Sequence, residues 1–196
     1  MSLSDALQGS RELAGRINAA AQGVQFPASD RARLSAALLD QVHEHHESIQ
    51  LLLEKKLVGS AFALVRIIFE TTVRGIWLFR CASDPEVEQF KADKLKKKFG
   101  ELIAAVENVV GAQGSALSQM KSKFWAGMCS YAHGGSLQAV RRISATHIGP
   151  QYSEEEQVGT LSFSDFCVLL ASVELCALGN REDLANRIAE MLPVSS

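Results

Sequence analysis

AFALVRIIFETTVRGIWLFR, residues 61–80, decides the fold. Phe62, Leu64, Val65, Ile67, Ile68, Phe69, Val73, Ile76, Trp77, Leu78 and Phe79 cover more than one face of it. Their spacing follows three and four, the period of a helix, and the two-residue alternation of a strand is missing. A helix that is apolar nearly all round belongs in the centre of a domain. The stretch is read as a central helix with the rest of the chain packed around it.

Arg66, Glu70 and Arg74 interrupt this apolar surface at intervals of four, so they form one row along the helix and can pair. A charge inside an apolar helix is costly unless it is paired and hydrogen-bonded. One reading is an ion pair that sets helix register. The other is that Arg66 and Glu70 line a pocket for a polar ligand or a reaction, since charges in clefts cluster at functional sites.

Outward from this helix, helical periodicity continues. Ser4 is read as the cap of a first helix ending near Ala21. Ser29 is read as the cap of a second, carrying Leu34, Leu38, Val42, Ile49, Leu52, Leu53 and Leu57. Gly59-Ser60 marks a bend. Ser83-Asp84-Pro85 restarts a helix expected to run through the lysines to Val110, where Gly111-Ala112-Gln113-Gly114 stops it. Ser115 starts the next, and His133-Gly134-Gly135 ends it. Ser136 opens a short helix to Ser144, followed by an irregular stretch from His147 to Gly159. Ser162 with Asp165 reads as a capping box for a helix ending at Gly179. Asn180 caps a final helix that Pro193 ends. The expectation is an all-α, single-domain bundle over residues 1–196, with about seven or eight helices around residues 61–80.

Composition agrees. Apolar residues make up 47% of the 196 and charged residues 21%, as in an ordinary globular domain. A net charge of -2 favours neither nucleic acid nor a membrane surface. The start Met1-Ser2-Leu3-Ser4-Asp5 has neither a basic nor an apolar run, so no secretory signal is expected. No stretch is read as reaching the ~20 apolar residues of a membrane span. Cys81, Cys129, Cys167 and Cys176 are scattered, which suits reduced thiols in a cytoplasm.

Other polar residues compete for a role. His133 stands at a helix C-terminus before two glycines, where it is either a hydrogen-bonded stop or a group reaching toward the Arg66 row. His43, His46 and Glu47 share a helical face, a spacing that could supply metal ligands, but matching ligands on other helices are missing. A solvated polar face is the plainer reading, and neither metal nor cofactor is expected. Lys91, Lys94, Lys96, Lys97 and Lys98 form a basic run, most simply a solvated helix face.

Two resemblances add to this. Residues 61–70 with Trp77-Leu78 and the later Tyr131-Ala132-His133-Gly134-Gly135 resemble a group of bacterial helical domains of unknown function. Their pattern is an apolar residue, Arg, three residues, Glu and a distant His-Gly. Some are similar to HEPN proteins or linked to phage defence. The resemblance spans about residues 45–145 and implies Arg66, Glu70 and His133 as pattern residues. Separately, Arg142 and His147 resemble the Arg-x4–6-His spacing of the HEPN superfamily, which includes metal-independent ribonucleases of toxin–antitoxin and phage-defence systems. That resemblance implies an Arg stabilising phosphate charge and a His handling protons. The polar residue that often follows the family's Arg is Ile143 here.

Two functions remain open at this level. The first is a non-catalytic binding or interaction module for a protein partner or a small polar ligand, with a pocket of Arg66, Glu70, Arg74 and His133. The second is a HEPN-like ribonuclease acting on RNA through Arg142 and His147, or through Arg66 and His133. A homodimer is expected from the broad apolar surface.

Overall fold

Helix boundaries follow local capping chemistry more closely than apolar periodicity. The computed structural model describes residues 1–110 and 115–191, and every regular element among them is a helix. In chain order these are α1 (Leu3–Ala21), α2 (Asp30–Glu54), α3 (Val58–Arg80), α4 (Asp84–Lys91), α5 (Phe99–Val110), α6 (Ala116–Ala132), α7 (Ser136–Val140), α8 (Glu154–Leu178) and α9 (Glu182–Ala189). The one β-type pairing described is an isolated bridge between Ile143 and Ile148. The expected stops at residues 111–114 and at Pro193 lie outside the described residues.

Several boundaries differ from the sequence reading, each for a local reason. Ser2, not Ser4, caps α1, because its hydroxyl accepts from the Asp5 N–H while the Asp5 carboxylate accepts from the Ser2 backbone. The break between α2 and α3 falls at Lys55–Leu57, and Gly59-Ser60 belongs to α3. Lys56 takes the left-handed conformation there, φ 59°, and the Leu57 N–H closes back on the Leu52 carbonyl at 2.8 Å. The lysine run does not continue α4. Asp93 turns left-handed at φ 54°, the Lys94 N–H bonds the Gln89 carbonyl, and a new helix starts at Phe99. Lys94 and Lys98 would stand one turn apart in a continuous helix, where like charges repel.

The largest correction concerns α8. It begins at Glu154, inside the stretch read as irregular. Ser153 and Glu156 form its capping box, and Glu154, Glu155 and Glu156 place three carboxylates at its positive end. Ser162 and Asp165 therefore sit in the middle of the helix. By length and composition α8 could cross a membrane, contrary to the reading of the sequence. However, 61% of its most apolar window is buried within the fold, as in the core helix of a soluble domain. At the other end Asn180 terminates α8 in the left-handed conformation, and Arg181 takes the cap position of α9.

Two helices thus occupy the centre instead of one. α3 packs against α2, α5, α6 and α8, and α8 packs against α1, α2, α3 and α9. Trp77, Phe69 and Ile68 of α3 meet Leu39, Ile49 and Leu53 of α2, Leu102 and Ile103 of α5, and Leu161 and Leu169 of α8 in a single core. α2 and α3 approach closely at Gly75. A Cβ there would stand 2.7 Å from Leu39 Cδ2, and the Gly75 carbonyl accepts from Ser35 Oγ at 2.8 Å.

Gly75→Ala is therefore expected to destabilise the fold by about 1–3 kcal/mol, because Leu39 is fully buried and has nowhere to move. Gly9→Ala, on an exposed face of α1 with nothing near its Cβ, is expected to be neutral or to stabilise by up to ~1 kcal/mol. Urea midpoints of the two variants check the pair. Equal midpoints would remove the close-packing argument.

Candidate functional site

The polar row on α3 gathers partners from α6. Arg66 Nε donates to Glu70 Oε1 at 2.7 Å, and Arg74 Nη2 reaches Glu70 Oε2 at 3.4 Å. The Arg66 guanidinium lies over the Trp125 ring, 4.8 Å from its centre, and that ring stacks on Phe99. A guanidinium so placed gains from the ring quadrupole. The third partner is His133, whose Nε2 is in contact with Arg66 Nη1. A guanidinium can only donate, so in this contact His133 Nε2 is the acceptor.

Local sequence explains how His133 gets there. It is the C-cap of α6, its N–H bonded to the Cys129 carbonyl. Gly134 follows at φ 64°, and the Gly135 N–H closes on the Ser130 carbonyl at 2.7 Å. The turn needs glycine at both positions, since a Cβ on Gly135 would stand 3.0 Å from the Ser130 backbone. One helix stop therefore ends α6 and sets the imidazole against α3.

Arg66, Glu70, Arg74 and His133 line a common pocket of about 330 Å³ with Ile67, Thr71 and Ala132. It is open to solvent. The Arg66 and Glu70 side chains keep 20% and 21% of their exposure, Arg74 keeps 33%, and His133 is exposed. Arg66 and Arg74 set two guanidiniums against the one carboxylate of Glu70.

Arg142 and His147 are not brought together in this way. α7 stops at Val140, before the expected Ser144, and the chain makes a tight turn in which the Gly149 N–H bonds the Arg142 carbonyl at 2.8 Å. The His147 ring is engaged by Ser144 Oγ, Thr146 Oγ1 and Gln151 rather than by Arg142, and both residues are exposed.

His43, His46 and Glu47 part company. Glu47 is exposed. His46 is buried and meets Asp165 at 2.7 Å and Ser10 at 3.1 Å. His43 Nε2 lies 3.2 Å from Ser172 Oγ. No group of three His, Cys, Asp or Glu side chains is placed to hold a metal among the described residues. Asp165 and Ser10 are the polar residues that sequence reasoning missed. Ser10 and Gln50 complete a buried cluster with His46, and Gln50 Nε2 donates to Ser10 Oγ at 2.8 Å. The available signal was a lone carboxylate inside the apolar run Ser162-Phe163-Ser164-Asp165-Phe166-Cys167. The capping-box reading puts it in a first turn, whereas it stands in the middle of α8.

Other charges are structural. Glu174 is buried and held by Arg80 Nε at 2.8 Å, and its burial pushes its carboxyl above the usual range against the opposing pull of Arg80. Burial and the neighbouring Tyr152 push the Tyr131 phenol up to about 12, so it stays protonated. In the lysine run, Lys91 pairs with Asp30 and Lys97 with Glu86. Lys94, Lys96 and Lys98 face solvent.

Comparison with known proteins adds one finding. The model of a family of unknown function, DUF6988, matches residues 39–193, which includes α3, α6 and the whole Arg66 pocket. No curated protein and no solved structure matches the chain.

The histidines of α2 make stability depend on pH. Burial holds His43 below its ordinary value of 6.5, and His46 adds to this while Asp40 opposes it; burial also lowers His45. The unfolded chain then binds more protons than the native one just below pH 6.5. Stability is complete above that pH and falls as the pH drops through the native values. The melting temperature is expected to fall between pH 7.5 and 5.5, and His43→Gln is expected to flatten that fall. An identical fall in the variant would remove His43 as its cause.

Proposed function

The chain belongs to this family of unknown function, so its own residues must carry the reading, and we propose that it is a helical binding module for a small anionic ligand. The ligand would be a carboxylate or phosphate compound, held in the pocket of Arg66, Glu70, Arg74 and His133. What carries this reading is the preset orientation of Arg66. Glu70 holds Nε, His133 holds one Nη1 hydrogen and Trp125 supports the flat face. Nη2 makes no hydrogen bond among the described residues. A guanidinium already held in place loses little freedom when an anion docks, and its planar edge suits a carboxylate or phosphate. Arg74, tied to Glu70 only by a long contact, supplies a second cation.

A register-fixing ion pair accounts for Arg66 and Glu70 but not for the rest. Neither Trp125 nor His133 is needed for an i,i+4 pair, and both converge on Arg66. Such a pair is also worth little at this exposure.

The contact between Arg66 and His133 favours a second reading, metal-independent cleavage of RNA. Arg66 would stabilise charge on the phosphate, and His133, released from Arg66, would take up a proton. Four free thiols, with Cys167 and Cys176 buried, suit a reducing cytoplasm under either reading.

Titration with inorganic phosphate and with succinate, followed by calorimetry and the Trp125 signal, tests the proposal. Saturable binding to the wild type is expected. Arg66→Lys and Arg74→Gln are each expected to weaken it by about tenfold or more, the effect of losing a charged hydrogen bond. Absence of saturable binding by both anions, or unchanged affinity in Arg66→Lys, would overturn it. Metal-free cleavage of RNA that is lost in His133→Ala would favour the second reading instead.

A further inference from the structure

A second pocket, about 390 Å³, lies between α6 and α8 and shares no residue with the Arg66 site. Both helices pack against α3, which adds Phe62 and Val65 to the lining. The volume is that of an ordinary small-molecule site.

The two helical walls repeat one spacing. α6 presents Phe124, Gly127, Met128 and Tyr131, and α8 presents Glu156, Gly159, Thr160 and Phe163. Residues at intervals of three, four and seven share one face of a helix. Each face therefore carries a glycine at its second position, inside a helix. Glycine weakens a helix there relative to alanine. Packing does not ask for it, because a Cβ on Gly127 or on Gly159 would have no atom within 4 Å. Gly75 and Gly135 are the contrast, since a Cβ on either would collide with the fold. What Gly127 and Gly159 do is keep the space between α6 and α8 open.

The chemistry of the walls narrows the occupant. Phe163 stands edge-on to Phe69 of the core at 5.6 Å, and Phe62 stands edge-on to Tyr131 at 5.3 Å, so these rings are held before anything binds. Phe124 adds an aromatic ring that is exposed. Glu156 is the one charged side chain of the lining among the described residues, and Arg141 and the Ser153 N–H already hold its carboxylate. The lining therefore offers no unpaired charge to draw in an ion. The Tyr131 phenol has Tyr152 as its neighbour. The Thr160 hydroxyl is half-buried and makes no hydrogen bond among the described residues, so it is left to meet a polar group of the occupant.

We propose that this pocket binds a neutral, flat aromatic molecule that carries an N–H or O–H group, with its ring against Phe62, Phe124 and Phe163 and its donor on Thr160 Oγ1.

Calorimetric titration of the full chain with indole and with 1-methylindole, whose nitrogen has no hydrogen, tests this. Saturable binding of indole at one site per chain is expected, with 1-methylindole about fivefold weaker, the effect of one neutral hydrogen bond. Thr160→Val is expected to remove the difference between the two compounds. Gly127→Leu puts a side chain into the open space. Its urea midpoint is expected to match or exceed that of the wild type, because leucine is the better helix former, while indole binds about tenfold more weakly or not at all. The proposal is overturned if indole does not saturate, if folded Gly127→Leu binds it as well as the wild type, or if Thr160→Val keeps the preference for indole. Displacement of indole by succinate would also overturn it, by placing indole in the Arg66 pocket. A dimer in light scattering that Gly127→Leu dissociates would overturn it in favour of an interface between copies of the chain.

Discussion

Asp165 stands in the middle of α8 between Ser164 and Phe166, and Ser10 of α1 and His46 of α2 meet its carboxylate at the edge of the core. The Asp165 side chain keeps 22% of its exposure, while Ser10 and His46 are buried, so the carboxylate serves to satisfy two buried polar groups. The pairing joins three helices at one point and fixes the rotation of α8 about its axis. That rotation decides which side of α8 faces α3. Cys167, Val168, Leu169 and Ala171 are then sealed, and Arg80 of α3 meets a buried acid of α8, Glu174. Register among α1, α2, α3 and α8 is thus set by polar contacts inside an apolar core.

The Arg66 pocket uses the opposite logic. None of its charged members is buried, so pairing adds little stability and mainly orients a guanidinium. Trp125 is the link between the two regimes. Its ring stacks on Phe99, which packs edge-on against Phe69 in the core, and it also carries the Arg66 guanidinium and the Lys121 ammonium. The position of the guanidinium is therefore tied to the packing of α5 and α6 against α3. A rigid element below and an open edge above is the arrangement that binding sites require.

Legibility in the sequence followed the range of the interactions. Ser29 and Ser83 were readable as caps because a cap is a contact three residues long. The failures were local too, but of a different kind. Lys56 and Asp93 do the work of glycine in left-handed turns, which residue type alone does not announce. Ser162 with Asp165 mimicked a capping box, and the better one, Ser153 with Glu156, was passed over because its acidic run reads as loop. That error hid the second central helix and, with it, the carboxylate that buried Ser10 and His46 meet.

By itself the sequence determined that this chain is helical, that residues 61–80 lie at the centre and that Arg66, Glu70 and Arg74 share one face, because helical period and the cost of exposing apolar surface act within a single element. Only the tertiary structure decided which of those polar groups meet others. Arg66 and His133 are 67 positions apart and Ser10 and Asp165 are 155 apart, and no spacing rule reaches across such distances. The same is true of the histidines of α2. Their order in the chain suggested a shared metal face, whereas His46 and His43 turn inward to partners on α8, Asp165 and Ser172. Helix faces are a property of the chain, but what each face meets is settled by how the helices pack.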